Sequence, residues 1–231
     1  MNKKKVILLF SDLEGTLLRE SDGKFEPKDM YSFLSELYKL QELTKAKIHL
    51  HLVSPVYQKQ MNEIMKQIDN AIAFFDKLNK CENALDPIEG GAAYPDIDMI
   101  SSEFTGDRIV PLREPVNTKD FDTAKFGKAD YVLNWCEHYM ESDLNELIMA
   151  IYCGNGRNDL DAMDYIKRLK QGFIVCPKNS RHEAKAKTTL VSDKTDLLGI
   201  TDGISKINKL IEKRIEPNKD EAEQENSLAE H

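Results

Sequence analysis

Residues 6–18, which read V-I-L-L-F-S-D-L-E-G-T-L-L, decide the fold. Residues 6–10 form a continuous apolar run, which is typical of a strand buried on both faces of a parallel sheet. The run is followed by two carboxylates, Asp12 and Glu14. Because side chains alternate along an extended chain, we expect both to emerge together where the strand ends. In open α/β sheets, ligands bind at that end.

The two carboxylates have two chemical interpretations and one structural alternative. One carboxylate can attack a substrate as a nucleophile while its neighbour donates and accepts protons. Both could also bind a divalent cation such as Mg²⁺, which prefers oxygen ligands. The structural alternative is an aspartate that ends a strand and a glutamate in a turn. This motif alone does not decide between the three interpretations, so the rest of the sequence is needed.

The composition predicts an ordinary soluble protein. Of its 231 residues, 41% are hydrophobic and 31% are charged, which suits one large domain or one domain with a small insertion. The formal net charge of −8 leaves no general basic surface for nucleic acid. No apolar stretch reaches the roughly 20 residues of a membrane span. We therefore expect neither a nucleic acid nor a membrane as partner.

The N-terminus and the cysteines indicate the cellular compartment. The apolar run that follows the N-terminal lysines is too short for a signal peptide and lacks a cleavage site. The four cysteines contain no C-x-x-C pair, so we expect reduced packing residues. Together these features predict a cytoplasmic protein.

Predicted strands and helices alternate along most of the chain. The predicted strands are 6–10, 48–53, 71–75, 147–153, 172–176 and 189–191, and the predicted helices are 27–44, 57–68, 126–140, 160–169 and 200–215. This alternation predicts an α/β fold with a doubly wound parallel sheet. Right-handed crossovers place the carboxyl ends of the strands at one edge. Asp12, Ser54 and the polar residues 154–159, which all follow strands, could therefore meet in one site.

Residues 77–118 break this alternation. They show little periodicity, so we interpret them as an irregular insertion or small cap on a core made of residues 1–76 and 119–215. Candidates for substrate contact in the insertion are Tyr94, Phe104, Arg108 and Arg113, although ordinary surface and packing roles are the alternative. The acidic residues 216–231 are predicted to be a disordered tail.

Four motifs, in this order, resemble those of the haloacid dehalogenase-like (HAD) hydrolases, most of which are magnesium-dependent phosphatases. They are S-D-L-E-G-T-L at 11–17, H-L-V-S-P at 51–55, F-G-K-A-D-Y at 126–131 and G-N-G-R-N-D at 154–159. The resemblance covers essentially residues 5–213 apart from the insertion. It implies a Rossmann-like core with a short cap. Each motif alone is weak, but the ordered set is specific.

The resemblance implies a role for each matched residue. Asp12 would be the nucleophile that forms an aspartyl-phosphate, Glu14 the general acid and base, and Lys128 the cation that neutralises the phosphate. The implied phosphate-binding residues are Gly15, Thr16, Ser54, Pro55 and Asn158. The implied Mg²⁺ ligands are Asp12, Glu14 (through its backbone carbonyl), and Asn155 and Asp159, directly or through water.

Some of these roles have a competing residue or a structural alternative. Lys125 competes with Lys128 for the same role. Ser54 could be a helix N-cap, since Ser-Pro is a common helix start. Residues 154–159 could be only a glycine-rich turn between a strand and a helix.

Two residues depart from the family pattern. Glu14 stands where the family usually has aspartate, but it keeps an acid/base group. Asn155 replaces an aspartate; its amide oxygen can still bind Mg²⁺ but brings no charge, so we expect weaker metal affinity. The first hypothesis is a magnesium-dependent phosphomonoester hydrolase acting on a phosphorylated small molecule or macromolecule. The others are a catalytically weakened binding or regulatory protein on the same fold, and a phosphoryl-transferring mutase.

Overall fold

The computed structural model describes residues 3–55, 58–82, 97–104, 109–111 and 127–215. The strands are β1 (Lys4–Ser11), β2 (Lys47–Leu52), β3 (Ile97–Phe104), β4 (Ile109–Pro111), β5 (Asn145–Cys153), β6 (Gly172–Cys176) and β7 (Leu190–Val191). The helices are α1 (Pro27–Thr44), α2 (Gln58–Glu82), α3 (Lys128–Met140), α4 (Leu160–Arg168), α5 (His182–Lys185) and α6 (Asp196–Ile215). A 3₁₀ turn, Arg157–Asp159, leads into α4.

One seven-stranded sheet runs through these elements in the order β4-β3-β2-β1-β5-β6-β7. All neighbouring strands are parallel except β4, which is antiparallel to β3. The predicted α/β class with a doubly wound parallel sheet is therefore confirmed. β1 lies between β2 and β5, so the chain adds strands on one side of β1 first and on its other side later. Sheets of this kind bind ligands at such a point, beyond the carboxyl ends of the strands.

β1 is central because both of its faces are buried. Ile7 and Leu9 pack in a core with α1, α2 and α6, whereas Leu8 and Phe10 pack in a second core with α3 and α4. Residues 6–10 are all at most 2% exposed. The apolar run is continuous, rather than alternating, because helices cover both sides of the sheet.

The prediction of a strand at residues 71–75 is wrong. These residues continue α2, which runs from Gln58 to Glu82. The buried residues Met61, Ile64 and Ile68 follow helical spacing, and Ile72 extends it by one further turn. A short apolar run does not distinguish a strand from a helix, and here the longer period decides.

The interpretation of residues 77–118 as irregular is wrong for part of that segment. α2 extends into it, β3 pairs with β2 in the central sheet, and β4 pairs with β3. The division into core and cap stays a prediction, because the rest of the segment lies outside the described residues. Tyr94, Arg108, Arg113 and the side chain of Phe104 lie outside them too, as does the predicted tail at 216–231.

Two other predictions concern thiols and membranes. Cys136, Cys153 and Cys176 are buried free thiols, as expected. Within the described part of the chain, no helix is both long enough and apolar enough to span a bilayer.

Candidate active site

Asp12 is the first residue after β1 and is held between the two neighbouring strands. Its backbone N–H donates to the carbonyl of Cys153 at the end of β5, at 2.9 Å. On the other side, the N–H of Val53, just beyond β2, donates to the carbonyl of Ser11 at 2.8 Å. The carboxyl ends of three strands therefore fix the backbone on which Asp12 sits.

Beyond Asp12 the chain folds into a tight turn, which we call the first loop (residues 12–18). The carbonyl of Leu13 accepts hydrogen bonds from Thr16 (3.2 Å) and Leu18 (2.8 Å), and the N–H of Gly15 donates to the carbonyl of Leu18 at 2.7 Å. β1 ends at Ser11, so strand alternation does not set the direction of Glu14. The turn sets it instead, and Glu14 is exposed whereas Asp12 is buried.

Lys128 lies between two carboxylates at the start of α3. Its Nζ is 2.7 Å from Oδ1 of Asp12 and 2.7 Å from Oδ1 of Asp159. The lysine side chain is only 2% exposed. α3 is held in place by Tyr131 and Trp135, which are buried against the sheet. The competing residue, Lys125, lies outside the described residues.

Asp159 is fully buried, and its carboxylate accepts four hydrogen bonds. Oδ1 accepts from Lys128 at 2.7 Å and from the Tyr152 hydroxyl at 2.8 Å. Oδ2 accepts from the backbone N–H of Asn155 at 3.0 Å and of Gly156 at 2.8 Å. A carboxylate offers about four lone-pair directions. In this arrangement all four directions are used and Asp159 holds Lys128; its role as a Mg²⁺ ligand, directly or through water, stays a prediction.

The buried charges perturb each other's protonation. Burial raises the pKa of Asp12 to about 6, although Lys128 opposes that rise. Burial alone would lower the pKa of Lys128, but the carboxylates of Asp12 and Asp159 raise it overall. The lysine therefore stays protonated at neutral pH. With both carboxylates ionised, the buried group of three carries one net negative charge.

Asn155 faces the first loop across Gly15. A Cβ added to Gly15 would lie 2.1 Å from Asn155 Nδ2, and Gly15 has a positive φ of 67°. The positive φ therefore favours glycine at this position, and a Cβ here would displace the Asn155 amide. The predicted cation ligand Asn155 is thus brought next to the loop that carries Asp12 and Glu14.

The other predicted phosphate-binding residues lie around the same edge. Ser54 is buried and follows Val53, whereas Pro55 and Asn158 are exposed. Thr16 is fully buried in the first loop, and its Oγ1 has no hydrogen-bond partner among the described residues.

The oxygen atoms that could hold a divalent cation are few. They are the carboxylate of Asp12, the side-chain amide of Asn155 and the backbone carbonyl of Glu14, which accepts no hydrogen bond within the described ranges. Across those ranges, no three His, Cys, Asp or Glu side chains are grouped to bind a metal. Mg²⁺ commonly uses one or two carboxylates and keeps several waters. The set therefore fits Mg²⁺, with one protein charge.

Sequence reasoning missed two residues of the site. Tyr152 donates to Asp159, but it lies within an apolar strand and resembled a core residue. Asn179 donates to the carbonyl of Gly15 at 3.0 Å. Asn179 follows β6 in C-P-K-N-S, so the rule that polar residues after strands share one edge could have found it.

No family model matches the chain, and no curated protein matches it significantly. Solved structures do match. A haloacid dehalogenase-like hydrolase from Bacteroides thetaiotaomicron is 16% identical with a TM-score of 0.43, over 91% of this chain and 99% of that one. One from Bacillus subtilis is 13% identical with a TM-score of 0.44, over 89% and 93%. The cobalt-bound deoxy-D-mannose-octulosonate 8-phosphate phosphatase from Haemophilus influenzae is 10% identical with a TM-score of 0.43, over 87% and 85%.

The chain resembles HAD-like hydrolases. At these identities and TM-scores, the likeness carries no argument about activity, metal or substrate. A proposal on the function of this chain therefore rests on the residues of its own site.

Proposed function

We propose that this protein is a HAD-type, magnesium-dependent phosphomonoester hydrolase. The observation that carries the proposal is the buried Lys128 Nζ, 2.7 Å from a carboxylate oxygen of Asp12 and 2.7 Å from one of Asp159. Buried groups with perturbed pKa values at the carboxyl edge of a sheet are typical of active sites. The order of the four motifs supports the same assignment.

In the proposed first step, the Asp12 carboxylate attacks the phosphorus of a phosphomonoester. The bond between phosphorus and the leaving oxygen breaks, and Asp12 becomes an aspartyl-phosphate. Lys128 stabilises the negative charge that approaches Asp12, and Asp159 keeps Lys128 in place. Because Lys128 is buried, its charge is screened less by solvent than a surface lysine's would be.

Glu14 acts as acid in the first step and as base in the proposed second step. It donates a proton to the leaving oxygen as that oxygen departs. In the second step it accepts a proton from the water that attacks phosphorus, the bond between phosphorus and the Asp12 oxygen breaks, and phosphate leaves. A positioned acid/base group contributes roughly 10²–10⁴-fold to the rate.

The proposed reaction needs a cation because the nucleophile and the phosphate are both negatively charged. The buried group of Asp12, Lys128 and Asp159 is already net negative, and a phosphate dianion would add to that repulsion. Mg²⁺ would be held by Asp12, Asn155 and the Glu14 carbonyl, and when bound it supplies positive charge that screens the nucleophile from the phosphate. We propose that Thr16, Ser54, Gly15 and Asn158 contribute to binding the phosphoryl group. The unsatisfied Thr16 hydroxyl supports its part in this set.

The proposed substrate is a phosphorylated small molecule or macromolecule in the cytoplasm. The test is phosphate release from a panel of sugar phosphates, phosphoserine, nucleotides and phosphopeptides, with Mg²⁺ or with EDTA. We expect Mg²⁺-dependent release that Asp12→Asn abolishes. The exposed Asp161→Asn is the matched control and should keep wild-type activity.

A weakened binding or regulatory protein is the second candidate, because Asn155 brings no charge and Asp159 is fully hydrogen-bonded. If this second candidate is right, phosphorylated ligands bind to the protein but are not hydrolysed in the presence of Mg²⁺. Binding without turnover across the whole panel would overturn the enzyme proposal in its favour.

A further inference from the structure

Asn179, in the loop after β6, uses its whole amide group to connect two distant segments. Nδ2 donates to the carbonyl of Gly15 at 3.0 Å and to Oδ1 of Asp196 at 2.9 Å. Oδ1 of Asn179 accepts from the backbone N–H of Asp196 at 3.0 Å. An amide has two N–H donors and one carbonyl acceptor, so both donors and the acceptor are engaged.

The anchor of this connection is the first residue of α6. Asp196 has a φ of 48°, which L-residues rarely adopt and which aspartate tolerates better than most. The reciprocal hydrogen bonds with Asn179 stabilise that conformation. Leu197 and Ile200, in the next turn of α6, are buried in the core. Asn179 therefore ties the first loop to a helix that is itself fixed by packing.

The other end of the connection is the backbone of Gly15. Its N–H donates to the carbonyl of Leu18 at 2.7 Å, and its C=O accepts from Asn179. Gly15 is thus held on both sides. Because a trans peptide is planar, fixing the Gly15 N–H also fixes the Glu14 carbonyl, which points the opposite way. Glycine is the residue with the most backbone freedom, so this external restraint matters most at this position.

We propose that Asn179, together with Asp196, is a positioning residue that fixes the Gly15–Thr16 peptide in the first loop, next to the Glu14–Gly15 peptide that the bond from Gly15 to Leu18 holds. By restraining Gly15 from this side, it would help to direct the Glu14 carbonyl towards a cation and to keep the Glu14 side chain in place as acid and base. The consequence for catalysis rests on the proposed function. The restraint on the first loop does not, since it follows from the hydrogen bonds alone.

The test compares Asn179→Ala and Asn179→Asp with wild type. Asn179→Asp is nearly isosteric but places a carboxylate oxygen where Nδ2 donated, facing the Gly15 carbonyl and the Asp196 carboxylate. A role in packing would be preserved by the aspartate, whereas a hydrogen-bonding role would not. The matched control is Asn145→Ala, which removes an amide bonded to Ser142 at the start of β5, at the opposite end of the sheet.

Three readouts are needed. The first is hydrogen–deuterium exchange of residues 12–18 in the metal-free protein. The second is calorimetric titration with Mg²⁺ alone, and the third is kcat and KM on the best phosphomonoester of the panel. We expect both Asn179 variants to speed exchange in the first loop. We also expect Mg²⁺ affinity and kcat to fall by about tenfold, the lower end of the effect of losing a partner that orients metal ligands. KM should change little.

The exchange measurement separates this proposal from the proposed function. If wild type hydrolyses no phosphomonoester but the Asn179 variants open the first loop, the positioning role stands and the enzyme assignment fails. Exchange in residues 12–18 that is unchanged in Asn179→Asp, or raised equally by Asn145→Ala, would overturn the positioning role whatever the activity.

Discussion

At the scale of single residues, the site is a buried lysine shared by two carboxylates. Breaking such a group by removing one partner is costly when it leaves an unpaired charge. Removing Asp12 differs, because Lys128 and Asp159 remain as a neutral pair at 2.7 Å. If Asp12 is the nucleophile we propose, it is the member of the group that is kept for chemistry at a cost in stability, a common property of active sites.

This gives a pH-dependent prediction for Asp12→Asn. Burial raises the pKa of Asp12 from an ordinary 3.8 to about 6, so the folded protein binds the proton more tightly than the unfolded chain. Raising the pH from about 3 to 7 should thus destabilise metal-free wild type relative to Asp12→Asn by on the order of 3 kcal/mol in total, most of it between about pH 4 and 6, with little change above about pH 7. Urea unfolding in EDTA at each pH measures it. A difference that stays constant with pH would contradict the assignment of a raised pKa to Asp12.

Asn155 gives the second prediction at this scale. Asn155→Asp adds a carboxylate beside Gly15, so Mg²⁺ affinity should rise by about tenfold or more, as expected for a change in the ligands of a hard cation. Isothermal titration calorimetry measures the dissociation constant. Asn145→Asp, the same change at the start of β5 and at the opposite end of the sheet, is the control. Equal affinities in wild type and Asn155→Asp would show that Asn155 does not face the cation.

At the scale of elements, the first loop depends on a glycine that another segment approaches. Gly15 and Gly23 have nearly equal positive φ values, 67° and 65°, but only at Gly15 would a Cβ collide, 2.1 Å from Asn155 Nδ2. At Gly23 nothing lies within 4 Å. Gly23→Ala is therefore a control for the backbone cost alone.

We expect Gly23→Ala to cost about 1–2 kcal/mol, the free energy of a left-handed conformation for alanine. Gly15→Ala should cost at least as much and should also weaken Mg²⁺ binding, because Asn155 has to move. Urea unfolding and Mg²⁺ titration of both variants measure this. Equal losses of stability with unchanged Mg²⁺ binding in both would mean that the contact between Gly15 and Asn155 is unimportant.

The elements show what the sequence could and could not predict. β1 and α1 were predictable because a continuous apolar run and a regular helical period each favour one kind of element. Residues 71–75 were mistaken for a strand because a short apolar run lacks a decisive period. β3 was missed because its sequence, I-D-M-I-S-S-E-F, has only a weak apolar pattern and follows a stretch rich in glycine and proline.

The site, like the elements, could be predicted from the sequence only in part. Asp12 and the turn at 154–159 were recognisable because their motifs follow predicted strands, and Lys128 because its motif begins a predicted helix in the same ordered set. Sequence order, however, does not reveal how hydrogen bonds are shared. Only the structure shows that Asp159 is saturated by four donors. The same holds for the contacts of Tyr152 and Asn179, which come from a core strand and a turn.

At the scale of the whole molecule, the site joins two distant parts of the chain. Asp12 and Ser54 come from residues 3–55, whereas Lys128, Asn155 and Asp159 come from residues 127–215. The parallel pairing of β1 with β5 brings the two segments together. A ligand bound at this edge should therefore stabilise the fold as a unit, rather than one segment of it.

Mg²⁺ and inorganic phosphate should together raise the melting temperature by more than the sum of their separate effects. Their opposite charges make each favour the binding of the other. A ligand at about 100 times its Kd contributes roughly 2.7 kcal/mol to stability, a shift that differential scanning fluorimetry detects. Sodium chloride at equal ionic strength is the control. A melting temperature that rises only by the sum of the two separate effects would argue against adjacent cation and phosphate sites. The same rise in sodium chloride would also argue against them.

The reactivity of Asp12 can be measured without knowing the substrate. Beryllium trifluoride binds carboxylates as a mimic of the phosphoryl group, and ¹⁹F NMR distinguishes its bound form from the free ion. In Mg²⁺, we expect wild type to show a bound signal of one equivalent that disappears in EDTA and in Asp12→Asn. No bound signal in wild type, or the same signal in Asp12→Asn, would contradict Asp12 as the nucleophile.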